Sequence, residues 1–121
     1  MRKIVLRDMV FDGVEEDLYS LKLRVGCPGC GSGVDFDSDD LTPLGGADNS
    51  RLSSLLAKDF GLRRRSGGLG YENEKGLEAC FFGYRCMSCS AKGYVVASVG
   101  EIQPTRFQAI LEGVLLESEG S

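Results

Sequence analysis

Two Cys-x-x-Cys turns constrain this chain more than any other feature: Cys27-Pro28-Gly29-Cys30 and Cys86-Met87-Ser88-Cys89. Such a turn lets two thiolates converge on one ion while nearby backbone N–H groups reach the sulfurs, and two turns supply the four tetrahedral ligands of a closed site. Cys27, Cys30, Cys86 and Cys89 are therefore the candidate metal ligands, with Zn2+ the expected ion and iron the other ion such a set accommodates. Pro28, Gly29 and Gly31 suit a tight first turn. The second departs from the commonest pattern, because Ser90 follows its last cysteine and Gly93 comes three residues later. About 55 residues separate the pairs, against 15–20 in common two-turn sites. Loop-closure entropy grows only logarithmically, so the longer gap is tolerable. Cys80 is left over. On a regular strand it lies about 20 Å from Cys86, so it reads as core rather than ligand.

The segments around the cysteines read as hairpins. Tyr19, Leu21, Leu23 and Val25 alternate with Ser20, Lys22 and Arg24, predicting a half-buried strand over 18–25, and residues 33–36 return from the first turn. Residues 80–85 enter the second turn and 93–99 leave it, both rich in aromatic and β-branched side chains. With their cysteines, residues 19–36 and 80–99 resemble the zinc-ribbon superfamily, which holds zinc between two Cys-x-x-Cys hairpins. The Cys27-Pro28-Gly29-Cys30-Gly31 turn alone also resembles the CxxCG motif of bacterial immunity proteins, which neutralise a cognate toxin. That resemblance implies a protein partner and an inhibitor-type role.

Elsewhere the pattern predicts a strand over 2–11 that joins a sheet edge, a turn at Asp12-Gly13 and a solvated stretch at 15–17. Residues 37–79 read as an insertion. It holds a helix capped by Asn49 or Ser50, with Leu52, Leu55 and Leu56 on one face and Gly61 as its stop. Residues 63–70 then form a flexible basic loop. Pro104 suits the first turn of a closing helix over about 104–117. There Phe107, Ile110, Leu111, Val114 and Leu115 recur at i, i+3, i+4, i+7 and i+8. The expected fold is a single α+β domain spanning 1–121: an antiparallel, zinc-ribbon-like sheet built from both hairpins, with the C-terminal helix on one face.

Composition narrows the function. The net charge of −4 argues against broad nucleic-acid binding, which rests on phosphate neutralisation. No stretch reaches the roughly 20 apolar residues of a membrane span, and charge interrupts the N-terminal apolar run too early for a signal peptide. Cytoplasmic, reduced thiols are expected. The chain has no histidine, and its carboxylates have no evident nucleophile beside them, so the expectation is a non-enzyme. Asp35 to Asp40 imitates a calcium loop, but Asp40 and Gly46 stand where the loop needs Gly and Glu. A solvated acidic turn fits better.

The leading functional expectation is a non-catalytic protein-binding module stabilised by zinc, with Asp37, Asp39 and Asp40 meeting a basic partner. The alternative is a nucleic-acid-associated ribbon, in which Arg63, Arg64, Arg65, Arg85 and Lys92 join an exposed Tyr84 or Tyr94. A third is thiol redox chemistry at Cys27 and Cys30. The glycines at 31 and 33 oppose the helix start that such chemistry normally uses.

Overall fold

The computed structural model describes residues 2–45, 50–66 and 70–118. Within them the first Cys-x-x-Cys hairpin follows its sequence pattern closely. Strands β2 (Lys22–Gly26) and β3 (Gly33–Asp37) pair antiparallel, with Leu23 opposite Phe36 and Val25 opposite Val34 on the inner face. On the outer face Lys22 meets Asp37 and Arg24 meets Asp35, which gives the solvent side a ladder of opposite charges. The incoming strand is shorter than its alternation suggests. Leu18 and Tyr19 belong to a short helix, α1 (Glu15–Tyr19), whose first turn carries the solvated stretch at 15–17.

Most of the remaining chain forms one antiparallel sheet that curls into a half-barrel. Its strands are β1 (Arg2–Gly13), β4 (Thr42–Pro43), β5 (Arg63–Arg64), β6 (Tyr71–Glu72), β7 (Glu78–Arg85), β8 (Lys92–Gln103) and β9 (Arg106–Ser118). The order is β1-β9-β8-β7-β6-β5, with β4 paired to β7. The N-terminal strand does lie at an edge, and it continues through Asp12 and Gly13, where a turn is expected. Asp12 is fixed there by a two-pronged ion pair with Arg106, 2.8 and 2.6 Å, and by Gln108. The Arg106 hydrogen bonds lower the Asp12 pKa to about 2.

The closing helix does not exist. Residues 106–118 are β9, and Thr105, at φ +66°, turns the chain between β8 and β9. The helical reading fails for a definable reason. Residues 108–116 are all buried because β9 is flanked by two strands and covered on both faces. A strand buried on both sides loses its alternation and becomes a continuous apolar run, in which spacings of three and four arise by default.

The second correction concerns the two hairpins. They do not build one sheet: β2 and β3 form a separate two-stranded unit, while β7 and β8 lie inside the large sheet. The small hairpin covers one face, where Leu23, Val25 and Phe36 pack with Val95, Leu111, Val114 and Leu116. Phe36 stacks on Phe82 of β7, ring centroids 5.3 Å apart. The insertion covers the opposite face through α2 (Ser50–Phe60), the helix expected there, whose Leu56, Ala57 and Phe60 pack on Val96 and Leu115. Asn49, the other cap candidate, lies outside the described residues. Arg63 and Arg64 form β5 instead of a loop, while 67–69 lie outside the described residues. Among those described, no helix is long and apolar enough to cross a membrane.

Gly113 makes the sandwich possible. A Cβ there would collide with the carbonyl oxygen of Ile4 on β1 and with the Phe60 ring. Gly113→Ala should therefore destabilise the fold by about 2–3 kcal/mol, the usual consequence of overpacking. Gly83→Ala should stay within about 0.5 kcal/mol of the parent, because Gly83 is exposed and its added methyl meets only the Tyr94 ring, at 3.5 Å. Urea denaturation of both variants checks this, and equal losses would contradict the packing described.

Candidate metal centre

Each cysteine pair sits at the tip of its hairpin, held by the same backbone device. In the first turn the Cys27 N–H donates to Ser32 O (2.8 Å) and the Gly31 N–H to Cys27 O (2.7 Å). In the second the Cys86 N–H donates to Ala91 O (2.8 Å) and the Ser90 N–H to Cys86 O (2.9 Å). The residue after the last cysteine is left-handed in both, Gly31 at φ +80° and Ser90 at φ +62°. The second turn therefore copies the first, although serine replaces glycine at the position where a Cβ is strained.

The two tips meet. The sulfurs of Cys27, Cys30, Cys86 and Cys89 all lie within 4.8 Å of one another. Across the tips, Cys27 and Cys89 lie 3.8 Å apart and Cys30 and Cys86 3.5 Å apart. A disulfide needs about 2.05 Å, so these are four separate thiols. Tetrahedral zinc with Zn–S bonds of about 2.3 Å sets its sulfurs about 3.8 Å apart. The donor set and its spacing fit such an ion. Cys27 and Cys86 are buried, Cys89 is half-buried and Cys30 faces solvent.

The electrostatics point the same way. Burial opposes charge on Cys27, but N–H groups of Gly29 and Cys30 and the neighbouring thiols outweigh it and lower its pKa. The Ser32 hydroxyl and N–H bring Cys30 down to about 6. At Cys89 an N–H from Ala91 favours the thiolate, yet desolvation and three adjacent sulfurs dominate and push it up to about 12. The site thus favours its first negative charges and resists the last, which is the deficit a bound cation corrects.

The other candidates are placed less decisively. Cys80 is buried in the sheet, its pKa raised to about 12 by burial and by Glu78, and it stands outside the cluster. Asp37, Asp39 and Asp40 lie on the exposed turn that leaves β3. Asp40 accepts the Asp37 N–H at 2.8 Å, and Ser38 anchors the turn through Leu18 O and Leu21 O. Asp37 sits 3.9 Å from Lys22, whereas Asp39 has no ion pair among the described residues. Arg63 and Arg65 pair with Glu72 and Glu78, and Arg64 lies over the Tyr71 ring. Tyr84 is buried and Tyr94 half-buried against Phe81, so neither presents the open ring face expected for base stacking.

No family model matches this chain, and no curated protein or solved structure matches it either.

Ser90 offers a test of the turn geometry. Ser90→Gly should relieve a left-handed Cβ worth about 1 kcal/mol and raise the melting temperature without changing metal content. A lower melting temperature would mean that the serine side chain supports the turn.

Proposed function

We propose that Cys27, Cys30, Cys86 and Cys89 hold one structural zinc ion, and that the chain is a non-catalytic protein-binding module whose shape the metal maintains. The observation that carries the metal reading is the convergence of four sulfurs from two hairpins that share no strand pairing. Four protein thiolates close the coordination sphere, so the ion would cross-link the small hairpin to the large sheet and would offer no open position to a substrate. Iron satisfies the same donors, and metal analysis separates the two. Reduced thiols suit a cytoplasmic setting.

The binding reading rests on the acidic turn. Its base is pinned to α1 and to the small hairpin, while its carboxylates stay in water. Charges so placed steer a basic partner and set its association rate more than its dissociation rate. An inhibitor that captures a basic protein is one form of this function. The arginines of β5 and its flank are engaged by carboxylates or an aromatic ring, which weighs against the nucleic-acid alternative.

Purified protein should contain about one zinc per chain. Cys86→Ser should lose that ion and more than about 3 kcal/mol of stability, because ligand binding and folding are linked. Cys80→Ser should keep the ion and lose about 1 kcal/mol. Elemental analysis with thermal melts decides; metal-free folded protein, or equal losses for both variants, would remove the zinc reading. For the partner, changing Asp37, Asp39 and Asp40 together to Asn retains the Asp40 acceptor while removing three charges. Association with a basic partner recovered by pull-down should slow severalfold at low salt and little at high salt. Identical kinetics at both salt concentrations would take the acidic turn out of the interface.

A further inference from the structure

The sheet carries a second unusual place, on the face away from the cysteines. Two β-bulges lie side by side there. Between β1 and β9 the register steps from Val5 opposite Gly113 to Asp8 opposite Leu111. Between β8 and β9 it steps from Val96 opposite Gly113 to Ala97 opposite Leu111, leaving Glu112 as the extra residue. Arg7, in the β1 bulge, is held at φ +53°, a left-handed conformation that an arginine adopts only under constraint. Paired bulges break the alternation locally and re-aim side chains, which is why bulges gather beside functional sites.

What they aim is a carboxylate. Glu112 is only 4% exposed, yet it lies in the middle of an apolar strand and lines a cavity of about 210 Å³. Buried Phe60 and Ile110 form the apolar floor beside it, half-buried Leu62 forms a wall, and the exposed Arg7, Lys75 and Glu74 stand at the rim, two bases against one acid. Asn73 orients Glu112 from β6–β7. The Asn73 Oδ1 accepts the N–H groups of Lys75 and Leu77, both at 3.0 Å, which leaves its amide nitrogen to donate to Glu112 Oε2 at 3.1 Å. Among the described residues this is the single hydrogen bond given to Glu112, and it makes no ion pair. Its carboxylate therefore keeps acceptor capacity for a ligand in the cavity.

We infer that this cavity binds a small zwitterion of amino-acid size, its ammonium group on Glu112 and its anionic group at Arg7 and Lys75. A cavity of about 210 Å³, open to solvent on one side, has room for a ligand of that size. Arg7 and Lys75 outnumber Glu74 at the rim, so the acid at the floor and the net positive rim set opposite charges at the two ends of the ligand. The apolar wall between them suits its carbon chain. Nothing in this assignment depends on the metal or on the acidic turn.

The test uses the folded, metal-loaded protein, titrated calorimetrically with each of the common L-amino acids up to about 10 mM, the range of weak specific binding. Matched alkylamines and carboxylates lacking the second charge serve as comparisons. At least one amino acid should bind and raise the melting temperature, and both matched analogues should bind at least tenfold more weakly. Glu112→Gln should lose at least tenfold in affinity. Arg7→Asn tolerates the left-handed backbone while removing the rim charge, so it should stay folded and still bind severalfold more weakly. Absence of binding by every amino acid would overturn the inference, as would affinity unchanged in both variants. An amine that binds as tightly as its amino acid would overturn the zwitterion assignment.

Discussion

Four cysteine sulfurs brought within 4.8 Å of one another would repel as thiolates, and the first turn is arranged against that repulsion. Backbone and hydroxyl donors favour charge on Cys27 and Cys30, while Cys89 is left resisting it. A bound cation would remove the conflict and at the same time span two units that share no strand pairing. Without it, the small hairpin would rest on the large sheet through apolar contacts alone, chiefly those of Leu23, Val25 and Phe36 with Leu21 and Val34 beside them. The outer face of that segment carries Lys22, Arg24, Asp35 and Asp37, so only its inner side packs. The acidic turn depends on the same junction, since it continues directly from β3.

The hairpins were legible because their physics is local. Alternation over Leu21 to Val25 is what a strand with one wet face produces, and the charge ladder of Lys22 and Arg24 against Asp37 and Asp35 completes it. The four-cysteine cluster was legible because Cys-x-x-Cys spacing encodes a turn and not a distant contact. Helix α2 was legible from its leucines and Gly61. The role of β9 was not. Burial on both faces erases the period that distinguishes strand from helix, and the bulge at Glu112 shifts the parity midway, which imitates helical spacing. Gly113 inside the run was the available warning. Glycine weakens a helix interior by about 1 kcal/mol, but it permits the close approach of a neighbouring strand.

The arrangement of the two hairpins was out of reach for a different reason. Whether two Cys-x-x-Cys hairpins share a sheet depends on what else competes for their edges. Here β9 pairs with β8, taking the edge that the small hairpin would have needed, and β1 then covers β9. Such competition between segments far apart in the chain leaves no mark on either one. Tyr84 shows the same limit at one side chain. An aromatic beside a Cys-x-x-Cys turn reads equally well as a surface stacking platform or as packing, and its neighbours on β9 decide for packing.

β9 finally explains how one sheet can serve two different sites. Below the bulge, Val114 and Leu116 face the small hairpin while Gly113 and Leu115 face α2. Above it, Leu111 returns to the hairpin side and Ile110 reaches the cavity on the helix side. Glu112 is the residue inserted between those two registers, and it too lines the helix-side cavity. In a regular strand Glu112 and Gly113 would point to opposite faces, and the carboxylate would be driven into the apolar core beneath the cysteines. The bulge allows both onto the α2 side, glycine making room for Phe60 and glutamate reaching Asn73. The same irregularity that disguises β9 in the sequence therefore keeps an acid out of the hairpin core and places it at the floor of a cavity.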